Sequence, residues 1–192
     1  MSRFAFLSLL TVSLHTALAV AIPPPPSLAR VTETKLLGRV SALARDQEGA
    51  PTNVYVGALA TRSEALFVVS EPFSRPLFWI AWPEKAESRL GEADTKLVRI
   101  DLINDDISRW SLSGVEAAFT VVLGADQTPD IVVMTTQMTG AGPEAAVEFP
   151  FNYVFRWKDG QYVYARDLEA QISKIAKLSE LRERLQPLTR SR

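Results

Sequence analysis

The side chains that most enzymes use for chemistry near neutral pH are scarce in this chain. It contains no cysteine and a single histidine, His15, which lies in an apolar N-terminal segment. Ser-His-Asp and Cys-His nucleophile systems need an imidazole, and zinc or copper sites normally need imidazole or thiolate ligands. If the N-terminal segment is removed, we therefore expect no metal, no cofactor and a protein that acts by contact rather than by catalysis.

Carboxylates are the remaining candidates for catalysis. Glycosidases work with two acids at a fixed separation, and Glu144 and Glu148 lie just before an aromatic run. Such a pair is more often two solvated charges in a loop, and that is the interpretation we favour. A carboxylate-based hydrolase acting on an envelope polymer is thus the alternative to a binding protein, and a concave pocket holding two carboxylates would favour it.

The candidate binding loop lies within residues 137–149. Gly140 and Gly142 are followed directly by Pro143 and Glu144. A phosphate cradle needs several free backbone N–H groups and a following helix, whereas proline has no N–H and strand-like residues follow. Binding residues favour loops on rigid scaffolds, so we expect Gly140, Gly142 and Glu144 to contact a small ligand or an envelope protein. A wide turn that needs glycine for its φ angles is the alternative.

One short segment resembles a known repeat. Residues 124–133, GADQTPDIVV, are similar to part of an FG-GAP/VCBS-type repeat, the calcium-loop blade of some β-propellers. The resemblance implies that Asp126 and Asp130 occupy ligand positions, but Val122 and Gly124 stand where the family has carboxylates. It covers one putative blade, and a propeller needs roughly four or more. We therefore expect a local strand-loop-strand unit here and no whole-chain relationship.

The N-terminal residues have the layout of a secretory signal peptide. Arg3 precedes a mostly apolar run over residues 4–12, and Ala-Leu-Ala at 17–19 is a small-x-small cleavage site. An uncleaved anchor is the alternative, since a bilayer span needs about 20 apolar residues. We predict a signal peptide over residues 1–19, a periplasmic or secreted location, and no membrane span after cleavage.

The composition after the leader favours an ordinary globular core. Residues 20–30 form a proline-rich linker with four consecutive prolines, which should be extended and stiff. Without cysteine there is no disulfide framework, so we predict a single β-rich domain over residues 31–188. The formal net charge of the full chain, −1, becomes −2 when Arg3 is removed with the leader, and it gives no bulk attraction for nucleic acid.

Hydrophobic periodicity predicts an α+β fold. Residues 34–45 read as a helix, residues 76–82 as an edge strand bracketed by prolines, and residues 83–90 as a short helix. Residues 167–185 read as one long amphipathic helix with Asp167 as its N-cap and Pro187 at its end. Further strands are predicted at 54–60, 65–70, 96–103, 117–123, 131–136, 152–157 and 161–164. The prediction is a mostly antiparallel β-sheet with an N-terminal helix and a long C-terminal amphipathic helix.

An aromatic row lies on one face of the last predicted hairpin. Because side chains alternate along a strand, Phe151, Tyr153, Phe155 and Trp157 point the same way. Asp159-Gly160 between the two strands is a strong hairpin signal. The row could stack on sugar rings, but rows of large aromatics more often pack in a core, and we expect core packing.

Overall fold

A computed structural model of the chain describes residues 28–45, 51–60, 62–71, 76–85, 88–92, 94–102, 110–123, 127–139 and 146–190. These residues are mostly antiparallel β-sheet with three helices, which confirms that part of the prediction. The predicted leader and nearly all of the proline-rich linker lie outside the described residues. No helix in the described ranges has the length and apolar character needed to cross a membrane.

The strands form two antiparallel meanders that follow chain order. Sheet 1 contains β1 (Ala29–Arg30), β2 (Pro51–Leu59), β3 (Arg62–Ser70), β4 (Leu77–Pro83) and β5 (Thr95–Ile100). Sheet 2 contains β6 (Ser111–Val121), β7 (Asp130–Thr139), β8 (Val147–Lys158) and β9 (Gln161–Tyr164). The helices are α1 (Thr34–Arg45), α2 (Arg166–Ile172) and α3 (Leu178–Arg190). The N-terminal helix therefore lies where its periodicity predicts it.

Aromatic rings from both sheets fill the core between them. Phe78 of β4 lies 4.8 Å from Tyr153 and 4.9 Å from Phe155 of β8, measured between ring centroids. Phe151 is buried in the same cluster and Trp157 packs partly buried against it. The row is therefore core, as expected, and each such ring pair adds about 0.5–1.5 kcal/mol beyond its area burial.

Helices cover the outer face of each sheet. Val40 of α1 packs in a cluster with residues of β2, β3 and β4, on the face of sheet 1 away from the aromatic core. On sheet 2, α2 and α3 pack through Leu168, Ile172, Leu181 and Leu185 on Val132, Met134 and Val154. The order of layers is thus helix, sheet, sheet, helix. Covering both faces of β7 explains its unbroken apolar start, Ile-Val-Val-Met.

Two predictions around β4 are wrong. β4 is an interior strand, paired with β3 on one side and β5 on the other. Its prolines mark the ends rather than an edge, since Pro83 is the last residue of β4, where a missing N–H removes little from the ladder. No helix occurs among the described residues of 83–90. Pro83 belongs to β4, and the described residues after it form bends, irregular backbone and a turn.

The prediction of one long C-terminal helix is also wrong. Two short helices, α2 of 7 residues and α3 of 13, replace it. Asp167 is not the N-cap: Ala165 occupies that position without a side-chain cap, and Asp167 instead accepts a hydrogen bond from Arg156 at 2.9 Å. Pro187 lies inside α3 rather than after it. The apolar periodicity is still used, because both helices contribute to one cluster on sheet 2.

A buried asparagine explains the break between the two helices. The Asn152 side-chain amide on β8 donates to the carbonyl oxygens of Ile172 at 2.7 Å and Ile175 at 2.8 Å. Its backbone N–H donates to the carbonyl of Ser173 at 3.0 Å. β9 pairs only with residues 155–158 of β8, so this part of β8 has a free edge that the chain after α2 covers. The carbonyls at the end of α2 are satisfied by the sheet instead of by another helical turn.

The turn between β8 and β9 follows the sequence prediction. Asp159 has φ 51° and Gly160 has φ 84°. Two consecutive positive φ angles are typical of the type I′ turn, whose twist matches that of the flanking strands. The Asp-Gly signal is therefore confirmed.

A single hydroxyl connects the ends of the two sheets. Tyr162 of β9 accepts a hydrogen bond from the Ala60 backbone N–H at 2.8 Å and donates to the Pro129 carbonyl at 2.8 Å. Ala60 follows β2 and Pro129 precedes β7, so the hydroxyl holds a turn of sheet 1 against a connection of sheet 2. Ala60 has φ 51°, and this bond helps to hold that conformation.

We expect Tyr162→Phe to lower the free energy of unfolding by about 2 kcal/mol, because two partly buried backbone groups lose their partner. Urea unfolding followed by circular dichroism measures the change. Tyr164→Phe is the matched control: its hydroxyl donates to the Glu169 carboxylate at 2.9 Å and, among the described residues, makes no hydrogen bond to a backbone group. A control variant that loses as much stability as Tyr162→Phe would contradict the bridging role.

Candidate functional site

A cleft opens on the outer face of sheet 2, next to the segment that joins α2 to α3. Its volume is about 350 Å³, within the range of roughly 300–1,000 Å³ typical of small-ligand pockets. The sheet provides one side and the residues between the helices provide the other. The lining residues that matter below are Glu116, Met134, Thr136, Glu148, Pro150, Asn152, Ile175 and Leu178.

A β-bulge places Glu116 at the cleft. The pairing register of β6 on β7 shifts between Val115 and Ala117, so Glu116 is the extra residue of β6. Val115 packs against the core between the sheets and Ala117 against the helix side. A bulge redirects side chains in this way, and the Glu116 carboxylate accepts a hydrogen bond from the Thr136 hydroxyl at 2.9 Å.

Glu148 brings a second carboxylate to the same cleft. It lies on β8 opposite Met138 and accepts a hydrogen bond from the Ser113 hydroxyl of β6 at 2.5 Å, a distance typical of a charge-assisted bond. Both glutamates are solvent-exposed. Within the described ranges, neither carboxylate belongs to an ion pair.

Fully buried amides lie at the floor of the cleft and behind it. Asn152 lines the cleft, and its Oδ1 has no hydrogen-bond partner among the described residues. On the core side of the sheet, the Gln137 amide donates to Thr135 at 2.9 Å and to the Tyr153 hydroxyl at 3.3 Å. Burial, helped by the charge of Glu169, raises the pKa of the Tyr153 hydroxyl far above its ordinary value, so that group stays protonated at neutral pH.

Three sequence-predicted site residues, Gly140, Gly142 and Glu144, lie outside the described residues. The described ends of their segment form the end of β7 and the start of β8, and Glu148 lines the cleft at the base of that connection. The structure places Glu148 in the same cleft as Glu116, a residue that the sequence analysis did not select.

Asn152 was also missed. It could have been found as the one polar amide within residues 149–155, a run of otherwise aromatic and apolar side chains, at the parity opposite to the aromatic row. Glu116 had no comparable signal, because the bulge that redirects it depends on pairing with β7.

Asp130, the residue implied as a calcium ligand by the FG-GAP/VCBS resemblance, has a different environment. Its carboxylate is buried and accepts the backbone N–H groups of Leu123 at 3.0 Å and Trp157 at 3.2 Å. It therefore joins the chain after β6 to β8 at the first residue of β7. Asp126 lies outside the described residues. No cluster of three or more potential metal-binding side chains occurs in the described part of the chain.

Asp130→Asn tests this reading of the carboxylate. We expect the variant to lower the free energy of unfolding by about 1.5 kcal/mol, because an amide has one acceptor oxygen where the carboxylate has two, and one backbone N–H loses its partner. Thermal unfolding with and without added calcium measures the effect. If calcium stabilised the wild type and not the variant, Asp130 would be a metal ligand after all.

A second, smaller concavity lies at the β5–β9 edge. Trp82, Trp157 and Tyr162 line it, but its volume is only about 40 Å³, roughly that of one water molecule. Trp82 is already stacked by Arg62, whose guanidinium carbon lies 5.1 Å from the ring centroid. This concavity is too small to enclose a sugar ring, and the larger cleft is the better candidate.

Comparisons of the chain with known protein families, with curated proteins and with solved structures found no match. The function is therefore inferred from the geometry and chemistry of the chain itself.

Proposed function

We propose that this chain is an exported, non-catalytic binding protein of the cell envelope, and that its ligand or partner occupies the Glu116–Glu148 cleft and the adjoining 137–149 connection. The leader pattern at residues 1–19 supports export to the periplasm or beyond. If cleavage follows Ala19, the exported protein begins at Val20 and contains no histidine or cysteine.

The observation that carries the proposal is the cleft itself. It combines an apolar wall from Met134, Pro150 and Leu178 with a small number of polar groups, which is the composition of small-ligand sites. It is also built on paired strands and a buried hydrogen-bond network, and such rigid supports hold binding groups in place.

Solvent exposure of the two carboxylates favours binding over catalysis. A carboxyl group that acts as a general acid near neutral pH needs an apolar surrounding that keeps it protonated. Glu116 and Glu148 are both exposed and each accepts a hydroxyl hydrogen bond. Exposed carboxylates bind ligands by charge and hydrogen bonding.

A variant that fills the cleft tests the proposal. Thr136→Trp puts a large ring on the cleft floor, and Ser63→Trp, on the exposed start of β3, adds the same ring elsewhere. We expect small molecules and proteins that co-purify with the full chain from envelope fractions to be lost with Thr136→Trp and retained with Ser63→Trp. Identical co-purifying material for wild type and Thr136→Trp would overturn the cleft as the binding site.

The second candidate function is a carboxylate-based hydrolase, favoured by the presence of two glutamates in one cleft. It predicts release of soluble fragments from an envelope polysaccharide or peptidoglycan, with loss of turnover in Glu116→Gln or Glu148→Gln. The binding proposal predicts no turnover in wild-type protein. A wild-type turnover that either substitution abolishes would replace the binding protein with the enzyme.

A further inference from the structure

The hydrogen-bond donors around the cleft are already used within the protein. The Ser113 hydroxyl donates to Glu148 and the Thr136 hydroxyl donates to Glu116. The Thr135 hydroxyl donates to the Phe151 carbonyl at 2.5 Å. Both N–H bonds of the Asn152 amide are directed to the carbonyls between α2 and α3, so these four side chains have no donor left for a ligand.

The side-chain groups of the cleft that can still form hydrogen bonds are acceptors. Each carboxylate has lone pairs beyond the hydroxyl bond it accepts, and neither is neutralised by an ion pair within the described ranges. The Asn152 Oδ1 provides independent evidence, because it is fully buried, belongs to a residue that lines the cleft, and has no partner in the described part of the chain. A buried acceptor without a donor is costly, and a ligand that brings donors would satisfy it.

The other side of the cleft is apolar. Met134, Pro150, Ile175 and Leu178 contribute hydrocarbon surface next to the carboxylates. A ligand that suits both parts has a hydrocarbon stem and a head group that only donates. A primary ammonium group has three N–H donors and no acceptor, and it is positively charged at neutral pH because its pKa is about 10.4 in the lysine side chain.

Positively charged groups near the cleft do not favour an anionic ligand over a cationic one. Lys174 and Lys177 are exposed on the segment between the helices, and neither lines the cleft. The N-terminus of α3 begins at Leu178, and a helix N-terminus favours an anion. Glu180 lies in its first turn and already complements that end.

We propose that the cleft binds the primary ammonium group of a linear aliphatic ligand, with Glu116 and Glu148 as charged acceptors and the stem against Met134 and Leu178. This inference rests on the proposed binding function and names its ligand class. The Asn152 Oδ1 supplies a further acceptor on the cleft floor. Specificity against neutral and anionic analogues follows, because these bring no positive charge to the carboxylates.

Titrations with matched five-carbon probes test the ligand class. n-Pentylamine, 1-pentanol and pentanoate are added separately to the full chain, and amide chemical shifts of Thr136, Glu148 and Asn152 are followed by NMR. We expect n-pentylamine to bind saturably and at least about tenfold more tightly than either analogue, a difference of roughly 1.4 kcal/mol. The preference should weaken in high salt, since exposed charges are screened.

The double variant Glu116→Gln/Glu148→Gln should reduce the preference for n-pentylamine to about one- to twofold. The control Glu64→Gln/Glu183→Gln removes the same charge from exposed sites on β3 and α3 and should leave the preference unchanged. Circular dichroism of both variants checks that they are folded.

Several results would overturn the ammonium site. These are equal or tighter binding of 1-pentanol or pentanoate, no saturable shift with n-pentylamine up to about 20 mM, and an unchanged preference in the glutamine double variant. Binding of the neutral or anionic probe in the cleft would still support the proposed binding function, whose own test is the cleft-filling Thr136→Trp variant.

Discussion

Asn152→Ala should lower the free energy of unfolding by about 4 kcal/mol, since removal of the side-chain amide leaves the Ile172 and Ile175 carbonyls without a donor, at about 1–3 kcal/mol for each buried group. Asn152→Asp should cost at least as much, although it preserves volume, because it places a carboxylate oxygen against those carbonyls. Urea unfolding measures both changes.

Asn53→Ala is the matched control for this prediction. The Asn53 amide makes one long, exposed contact with Thr52 at 3.4 Å, so its loss should cost less than about 0.5 kcal/mol. Equal losses at the two positions would show that the Asn152 amide does not hold the segment between α2 and α3. A stable Asn152→Asp variant would show the same without any change of volume.

Alkaline pH should unfold the protein steeply. Burial raises the pKa of the hydroxyls of Tyr153, Tyr162 and Tyr164 well above their ordinary value of 10.0, and the neighbouring Glu169 adds to the shift of Tyr153 and Tyr164. Below about pH 10 both folded and unfolded states keep these protons, so the stabilising contribution is fully present. Above it the unfolded chain releases them while the folded state retains them, and stability falls as pH rises towards the folded-state pKa values.

Above pH 10 the free energy of unfolding should fall with a slope of about 1.4 kcal/mol per pH unit for each of these tyrosines, or about 4 kcal/mol per pH unit for the three together. Small proteins have a total stability of about 5–15 kcal/mol, so unfolding should be complete within a few pH units above pH 10. Urea unfolding at a series of pH values gives the slope, and tyrosinate absorbance should appear together with loss of circular dichroism.

Tyr164→Phe should reduce that slope by about a third while leaving the fold intact. Tyrosinate absorbance that appeared near pH 10 in a protein with native circular dichroism would contradict the prediction, because it would show that these hydroxyls ionise within the folded state.

In the C-terminal segment, the sequence predicts the helical periodicity but not the point at which the first helix ends. Steps of three and four correctly predict helical segments with one apolar side, over the series Leu168, Ile172, Ile175, Leu178, Leu181 and Leu185. They do not show that the helix stops after Ile172, because the interruption depends on Asn152, which comes earlier in the chain and reaches the segment only when β8 is paired in the sheet. Hydrophobic periodicity indicates which residues of this segment are buried. The end of α2 depends instead on long-range hydrogen bonds from Asn152.

The same limit applies to β4 and to the cleft. Prolines at both ends of the β4 segment are compatible with an edge or with strand ends, and only pairing with β3 and β5 distinguishes the two. Glu148 was a candidate from the sequence as part of an acidic pair with Glu144. Its partner in the cleft is Glu116, because a bulge in β6 and the alignment of three strands bring those two side chains to one face.

By itself, the sequence determined the leader pattern and the absence of histidine and cysteine beyond it, because these are matters of composition. It also predicted α1, the β8–β9 turn and the burial of the aromatic row, because each depends on neighbours within a few positions. Tertiary structure alone decided the division into two stacked sheets, the break between α2 and α3, and the cleft of Glu116, Glu148 and Asn152. These features require residues far apart in the chain to meet, and local periodicity carries no information about which strands pair or in what register.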